Sequence, residues 1–376
     1  MKNKYLETGN RSSCYGCNAC GYACLADAIE MIENEQGFLY PYVDEKKCID
    51  CGKCEKVCPY SMNTEGRRGN IYQAAHKSTD VLLKSQSGGA FTAISDFILG
   101  KNGSVYGAVF HDDLSVFHTR AITRQERDKM CGSKYVQSII SSELLKQIEK
   151  DLNDDMWVLF TGTPCQSAMI AKNYGTYERL IVCDFICHGT PSPQIWMDYL
   201  SYISQKEQIE IVKAVFRNKR CRMLGNYTES YYTKDRQEYL SNDYAALFYS
   251  HLAHRESCFS CQFAQGKRYS DITIGGFLEP SDFDAEYDSS MILVNTKKGR
   301  NLFEKIKENI DYQKSRLHFY KNQPCLYHPV PRPEEYEKFW EDYSKADMSY
   351  MIETYASDEI KKKFHIEILQ PGEEYK

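Results

Sequence analysis

Cys14-Tyr-Gly-Cys17-Asn-Ala-Cys20-Gly-Tyr-Ala-Cys24 and Cys48-Ile-Asp-Cys51-Gly-Lys-Cys54-Glu-Lys-Val-Cys58-Pro59 repeat one spacing, C-x2-C-x2-C-x3-C. Three cysteines at x2 intervals let a tight loop wrap three corners of an iron–sulfur cubane, and the fourth cysteine of each run ligates the other cluster. This assigns one 4Fe-4S cluster to Cys14, Cys17, Cys20 and Cys58, and a second to Cys48, Cys51, Cys54 and Cys24. Pro59 follows Cys58 as the pattern expects; Leu25 stands where the other run would carry its proline, which loosens one turn and leaves the ligand set complete. The competing readings are zinc knuckles or disulfides. Zinc takes four ligands from C-x2-C pairs and has no use for the third and fourth cysteines at these spacings.

The 376 residues leave room for two or three domains. A bacterial-type two-cluster ferredoxin module is expected over residues 1–65, a larger mixed α/β domain over 66–332 and a helical tail over 333–376. The net charge of -5 argues against a nucleic-acid partner, which would call for a basic stripe. Met1 to Arg11 is polar, with no secretory h-region, and no run of apolar residues is long enough to span a membrane. Cysteines at cluster spacing without such a signal point to a reducing cytoplasm and suggest an anaerobe.

Beyond the polar connector from Asn63 to Asn70, Ile71 to Ala75 reads as a short strand. Ala90 to Gly100 reads as a helix ending on glycine, Ser104 to Phe110 and Ser115 to Ile122 as a hairpin, and Ser142 to Asp151 as an amphipathic helix. Two strand–loop–helix units follow. Trp157 to Phe160 leads through Thr161-Gly-Thr-Pro-Cys165-Gln166 into a helix reaching Ala171, and Leu180 to Ile186 leads through Cys187-His188-Gly189 into a helix reaching Tyr202. This alternation predicts a mainly parallel sheet with both cysteine loops at its carboxyl edge, where ligands collect. Glu210 to Thr233 reads as a β insertion, Asp271 to Ile274 and Met291 to Val294 as core strands, and Gly299 to Ile310 as a helix.

Of the later cysteines, Cys165, Cys187 and the pair Cys258-Phe-Ser-Cys261 offer four thiolates for a further cluster, and Cys165 sits at a helix N-terminus, which favours ligation. A structural zinc on the same ligands, or a packing role for Cys165 with an idle pair, fits the spacing as well. Cys183, mid-strand, reads as core, while Cys221 and Cys325 have no context that favours function. Three turns are candidate cofactor sites: Ser87-Gly88-Gly89 opening a helix, Gly132-Ser133-Lys134-Tyr135-Val136-Gln137, and Thr161-Gly162-Thr163 ending a strand. Each is equally readable as an ordinary turn. No G-x-G-x-x-G and no P-loop pattern occurs, so neither a Rossmann site nor a P-loop is supported.

Taken in order, Ser87-Gly-Gly-Ala90, Gly132 to Ser138, Thr161 to Gln166, Cys187 to Ser192, and Cys258 and Cys261 followed by Arg268-Tyr-Ser-Asp-Ile-Thr273 form a set. This set resembles the beta-subunit family of coenzyme F420 hydrogenases and dehydrogenases in its ferredoxin-fused form, from Cys14 to about Arg300. The resemblance implies an FAD-containing oxidoreductase subunit with an α/β core of its own type, not Rossmann, and a third 4Fe-4S cluster beside the flavin on Cys165, Cys187, Cys258 and Cys261. Family members often continue the Asp-Ile-Thr strand with Gly-Asp-Phe-Trp; here Gly275-Gly276-Phe277-Leu278 lacks the acid and the indole.

The resulting expectation is an electron path from a ferredoxin or other redox partner through the N-terminal clusters and the third cluster to FAD, and on to a small organic substrate. His188 and Lys134 are the expected catalytic residues, His188 as proton donor, against the reading that His188 only bonds its own loop. A non-catalytic electron conduit and a cofactor-poor interaction module are the alternatives. A homo-oligomer is compatible with the sequence, and deazaflavin use is not decided by it.

Overall fold

In a computed structural model, residues 4–62, 69–217, 228–283, 288–316 and 320–363 are described. Most of the connector after Met62, part of the β insertion with Cys221, and the end of the tail lie outside these residues. The strands are β1 Ile29–Glu33, β2 Leu39–Val43, β3 Asn70–His76, β4 Ser104–Phe110, β5 Val116–Ala121, β6 Val158–Gly162 and β7 Leu180–Phe185. They continue with β8 Ile211–Val215, β9 Glu229–Thr233, β10 Glu238–Ser241, β11 Ile272–Gly276, β12 Ser290–Val294 and β13 Ile310–Lys314.

Eight of them form one sheet in the order β13-β3-β12-β11-β7-β6-β4-β5. Only the centre is parallel: β11 on β7, β7 on β6 and β6 on β4. The flanks are antiparallel, β12, β3 and β13 on one side and β5 on the other, so the sheet is mixed rather than mainly parallel. The connections explain this. A tight turn at His111–Leu114 joins β4 to β5, and only an antiparallel partner can follow so short a link. The helix Lys297–Ile306 ends earlier than expected because Ile310 opens β13 opposite His76.

β6 and β7 read as unbroken apolar runs because helices cover both faces of the sheet. Leu159 and Ile181 enter one core with Ile94, Ile98 and Phe303. Their neighbours Val158, Phe160, Leu180 and Val182 enter the opposite core with Ile148, Met169 and Ile170, as a two-residue strand period requires. Cys183 is buried in the first of these cores.

The N-terminal segment shares cores with the rest of the chain. Ala19 joins the core beneath β6, with Cys17, Tyr22 and Val57 packed against it. Phe38 and Tyr40 join a third core built on Trp196, Tyr199 and Tyr244. The C-terminal helices Tyr336–Tyr343 and Met348–Tyr355 put Tyr336, Phe339, Trp340, Met351 and Ile352 into that same core. Among the described residues no helix is long and apolar enough to cross a membrane.

Trp196 is fully buried, and its indole Nε1 donates to Leu114 O at 2.8 Å. Trp196→Ala is expected to cost about 3–5 kcal/mol in urea unfolding, through the cavity and the orphaned carbonyl. A loss under about 1 kcal/mol would contradict this packing.

Candidate functional site: a cavity bounded by four thiols

β6 and β7 pair in parallel with Gly162 opposite Asp184, so the loops that leave them open side by side at the carboxyl edge. After β6, Thr163 caps the helix Pro164–Tyr174 with Gln166 as its reciprocal partner, which leaves Cys165 in the first turn. After β7, Cys187 is followed by Gly189 at φ +90°, where an added Cβ would stand 2.1 Å from His254 Cδ2. Only glycine lets the loop close onto that ring. Cys258 and Cys261 follow the helix Asp243–Tyr249, and Thr190 Oγ1 lies 3.7 Å from Cys258 Sγ.

Cys165, Cys187, Cys258 and Cys261 line one cavity together with Tyr15 and Arg255. Burial pushes every one of these thiols up, Cys165 to about 11, and mutual proximity adds to it for Cys187 and Cys261. The four cysteines come from three segments and stand around the wall of that one cavity.

The first N-terminal set gathers beside this cavity. Burial raises Cys17, Cys20 and Cys58; Cys14 and Cys58 add to the rise at Cys17 and Cys20, and Cys14 adds to it at Cys58 against a lowering backbone bond from Tyr60. Cys58 thus stands with Cys14, Cys17 and Cys20, and Cys165 lies within electrostatic reach of Cys17. Cys24 and the Cys48–Cys54 loop are carried by the β1–β2 hairpin and by the helix Lys53–Val57, which packs on Ala19–Tyr22; Cys51 is exposed. Lys172 Nζ donates to Cys58 O at 2.8 Å and to Ser61 Oγ at 2.6 Å, fastening the last ligand loop to the helix after Cys165.

The Cys165 loop is braced from behind. Gln166 Nε2 donates to Ser138 O and Oγ, Ser138 Oγ meets His118 Nδ1 at 2.9 Å, and His118 Nε2 bonds Thr161 O at 2.9 Å. His118 is buried and stacked on Phe160.

The three candidate turns separate in space. Thr163 and Gln137 line the thiol cavity, Gln137 donating to Tyr15 O at 3.0 Å. The Thr161 hydroxyl is held by Tyr106 O, and Gly162 ends β6. Ser87 Oγ lies 3.0 Å from Ser290 Oγ, and Gly88 and Gly89 head the helix Ala90–Gly100. Lys134 donates to Met130 O, Cys131 O and Gly132 O, each at 3.2 Å, and burial pulls it down to about 8; Ser133 is half-buried beside it. Tyr135 stacks on Phe248 and borders Phe216 and Tyr249, which in turn faces His188. His188 Nδ1 lies 3.4 Å from Cys325 Sγ, and burial lowers its pKa. Lys134 and His188 therefore share no partner.

Sequence reading missed Arg255, Cys325, Tyr15 and Lys172. Arg255 lies three residues before Cys258, and that proximity was the only local signal. The others are assembled by tertiary contact alone.

Residues 13–62 match a 4Fe-4S dicluster domain, the class of iron–sulfur domain that their cysteine spacing describes. Residues 155–318 match the C terminus of the coenzyme F420 hydrogenase/dehydrogenase beta subunit. A component of the Na(+)-translocating ferredoxin:NAD(+) oxidoreductase complex of Acetobacterium woodii is 43% identical over 56 residues, which is 15% of this chain and 16% of that protein. A chain of the F420-reducing NiFe hydrogenase complex from Methanosarcina barkeri superposes with a TM-score of 0.48 at 16% identity, covering 81% of this chain and 94% of that one.

His118 yields a pH test. Burial lowers its pKa from 6.5 to about 4, so between these values the unfolded chain binds a proton that the native one refuses. Its contribution, on the order of 3 kcal/mol, is complete above pH 6.5 and is lost as pH falls to about 4. Urea unfolding of His118→Gln across that window is expected to show a shallower rise of stability with pH, by about one proton; identical slopes would contradict the assignment.

Proposed function

We propose that the chain carries single electrons between the two N-terminal 4Fe-4S clusters and a third 4Fe-4S cluster held by Cys165, Cys187, Cys258 and Cys261. The observation that carries this reading is the cavity: four buried thiols from three separate segments, placed around a space next to Cys17. The donor set fits an iron–sulfur cluster, whose thiolate ligands stand apart around a multi-atom core. When bound, such clusters supply one-electron steps at potentials set by charge, hydrogen bonds and solvent access.

The chain's own residues provide the spacing. Thr163, Gln166 and His118 brace the Cys165 loop, and Lys172 holds the Cys58 loop against the helix that follows it. Exposed Cys51 marks the end of the path open to a ferredoxin or other redox partner.

FAD, implied by family resemblance, belongs in this reading at the edge where Tyr135 borders Phe216 and Tyr249, and Tyr249 faces His188. Gln86 Nε2 donates to Phe216 O at 3.1 Å and ties the Ser87-Gly88-Gly89 turn to that edge. Ser87 and Lys134 already have partners inside the protein and do not fit as its ligands. Bound flavin would exchange one-electron for two-electron chemistry with an organic substrate. A conduit feeding a partner enzyme is the second reading, favoured by the internal engagement of both Lys134 and His188.

Anaerobically reconstituted protein is expected to hold about twelve irons per chain, and Cys258→Ser combined with Cys261→Ser about eight. Full iron in the double variant would refute the ligand assignment. Turnover of an organic acceptor by the isolated chain supports the enzyme reading, and electron transfer only through an added protein supports the conduit.

A further inference from the structure

Arg255 is 1% exposed and lies between the first cysteine run and the thiol cavity. Its Nε donates to Cys14 O at 2.8 Å, Nη2 to Leu39 O at 2.9 Å, and Nη1 to Gln137 Oε1 at 3.3 Å. Nη2 also reaches Cys14 Sγ at 3.6 Å, and the guanidinium lies 4.0 Å from the centre of the Tyr40 ring. Gly16, at φ +67°, lets the loop come this close, because an added Cβ would stand 2.9 Å from Nη1. None of the four acceptors is a carboxylate.

A buried cation without a counterion is strongly unfavourable, and a guanidinium cannot escape by losing its proton as a lysine can. Cluster ligation supplies anions at the places it faces: the thiolate of Cys14, which it touches, and those of the four cysteines that line the cavity with it.

We propose that Arg255 is a positioning residue for electron transfer: one fixed positive charge, held between the Cys14 loop and the cavity of Cys165, Cys187, Cys258 and Cys261, that raises the reduction potentials of the clusters on both sides together. Reduction adds negative charge to a cluster, and a nearby cation favours the reduced form; net charge and hydrogen bonds to sulfur are the protein's levers on such potentials. The cluster of Cys24, Cys48, Cys51 and Cys54 has no contact with Arg255 among the described residues and escapes this effect. The inference rests on the reading that the cavity holds a cluster.

The test is an EPR-monitored redox titration of the reconstituted full chain. Arg255→Gln is expected to keep its iron and to lower both potentials by at least a tenfold change in the reduction equilibrium, about 59 mV for a one-electron couple, while the outer cluster stays put. Arg255→Lys, titrated at the acid end of the range in which the iron is retained so that the amine keeps its proton, is expected to hold both potentials near those of the native chain. Unchanged potentials in Arg255→Gln with full iron overturn the proposal, and so does an equal fall in Arg255→Lys. Should Arg255→Gln lose iron, Gln137→Glu decides: it leaves the bonds to Cys14 and Leu39 in place and sets a carboxylate against Nη1. Both potentials are then expected to fall, and constancy refutes the idea. About eight irons in the unaltered chain would defeat the third cluster, whereas the Cys14-side potential still reports on Arg255 separately.

Discussion

The parallel pairing of β6 with β7 is the constraint on which the rest depends. With Gly162 opposite Asp184, the two strands end level, and the loops they release carry Cys165 and Cys187 to one side of the sheet. A slip of one residue would exchange the faces of both strands and empty two cores at once, because Leu159 and Ile181 serve one core while Phe160 and Val182 serve the other. The register that packs the interior is therefore the register that places the thiols. The Cys258–Cys261 segment is fastened to the second of these loops by main-chain bonds just before it, Ser192 N to Ala253 O at 2.9 Å and Arg255 N to Thr190 O at 3.0 Å.

The N-terminal segment closes what the sheet opens. A chain of roughly sixty residues buries too little apolar surface to be robust alone, and this one makes up the deficit from its neighbour. Ala19 sits in the core under β6, and Phe38 and Tyr40 sit in the core with Trp196, Trp340 and Tyr336. The first cysteine set is thus part of the same packed solid as the cavity, with Tyr15 forming part of the wall between them. For electron transfer this matters more than any single bond, because close packing holds a fixed short separation that a tethered module would not.

Much of the fold was legible from local pattern. The hairpin of β4 and β5, the buried runs of β6 and β7 and the glycine-terminated helix Ala90–Gly100 all follow from periodicity and turn residues. The antiparallel flanks were not legible, since the return of β12, β3 and β13 to one edge depends on pairing across the chain. At the site, cysteine spacing marked the loops, but not the groups between them. Arg255 and Lys172 carry no motif, and Tyr15 is a variable position inside one; the roles of the two cations come from burial and from carbonyls that only tertiary structure supplies. Lys134 shows another side of the same limit. A cation beside hydroxyls and glycine looks like a phosphate site in sequence, yet here its ammonium closes onto three carbonyls of its own loop.

The central claim is that four thiols from three segments hold iron beside the first cysteine set. Anomalous diffraction from crystals of the anaerobically reconstituted chain, recorded on both sides of the iron edge and of the zinc edge, tests it most directly. The expected result is a third iron peak inside the cavity of Cys165, Cys187, Cys258 and Cys261, separate from the two N-terminal peaks and with no zinc signal. A zinc signal there, or iron confined to the N-terminal cysteines, would contradict it.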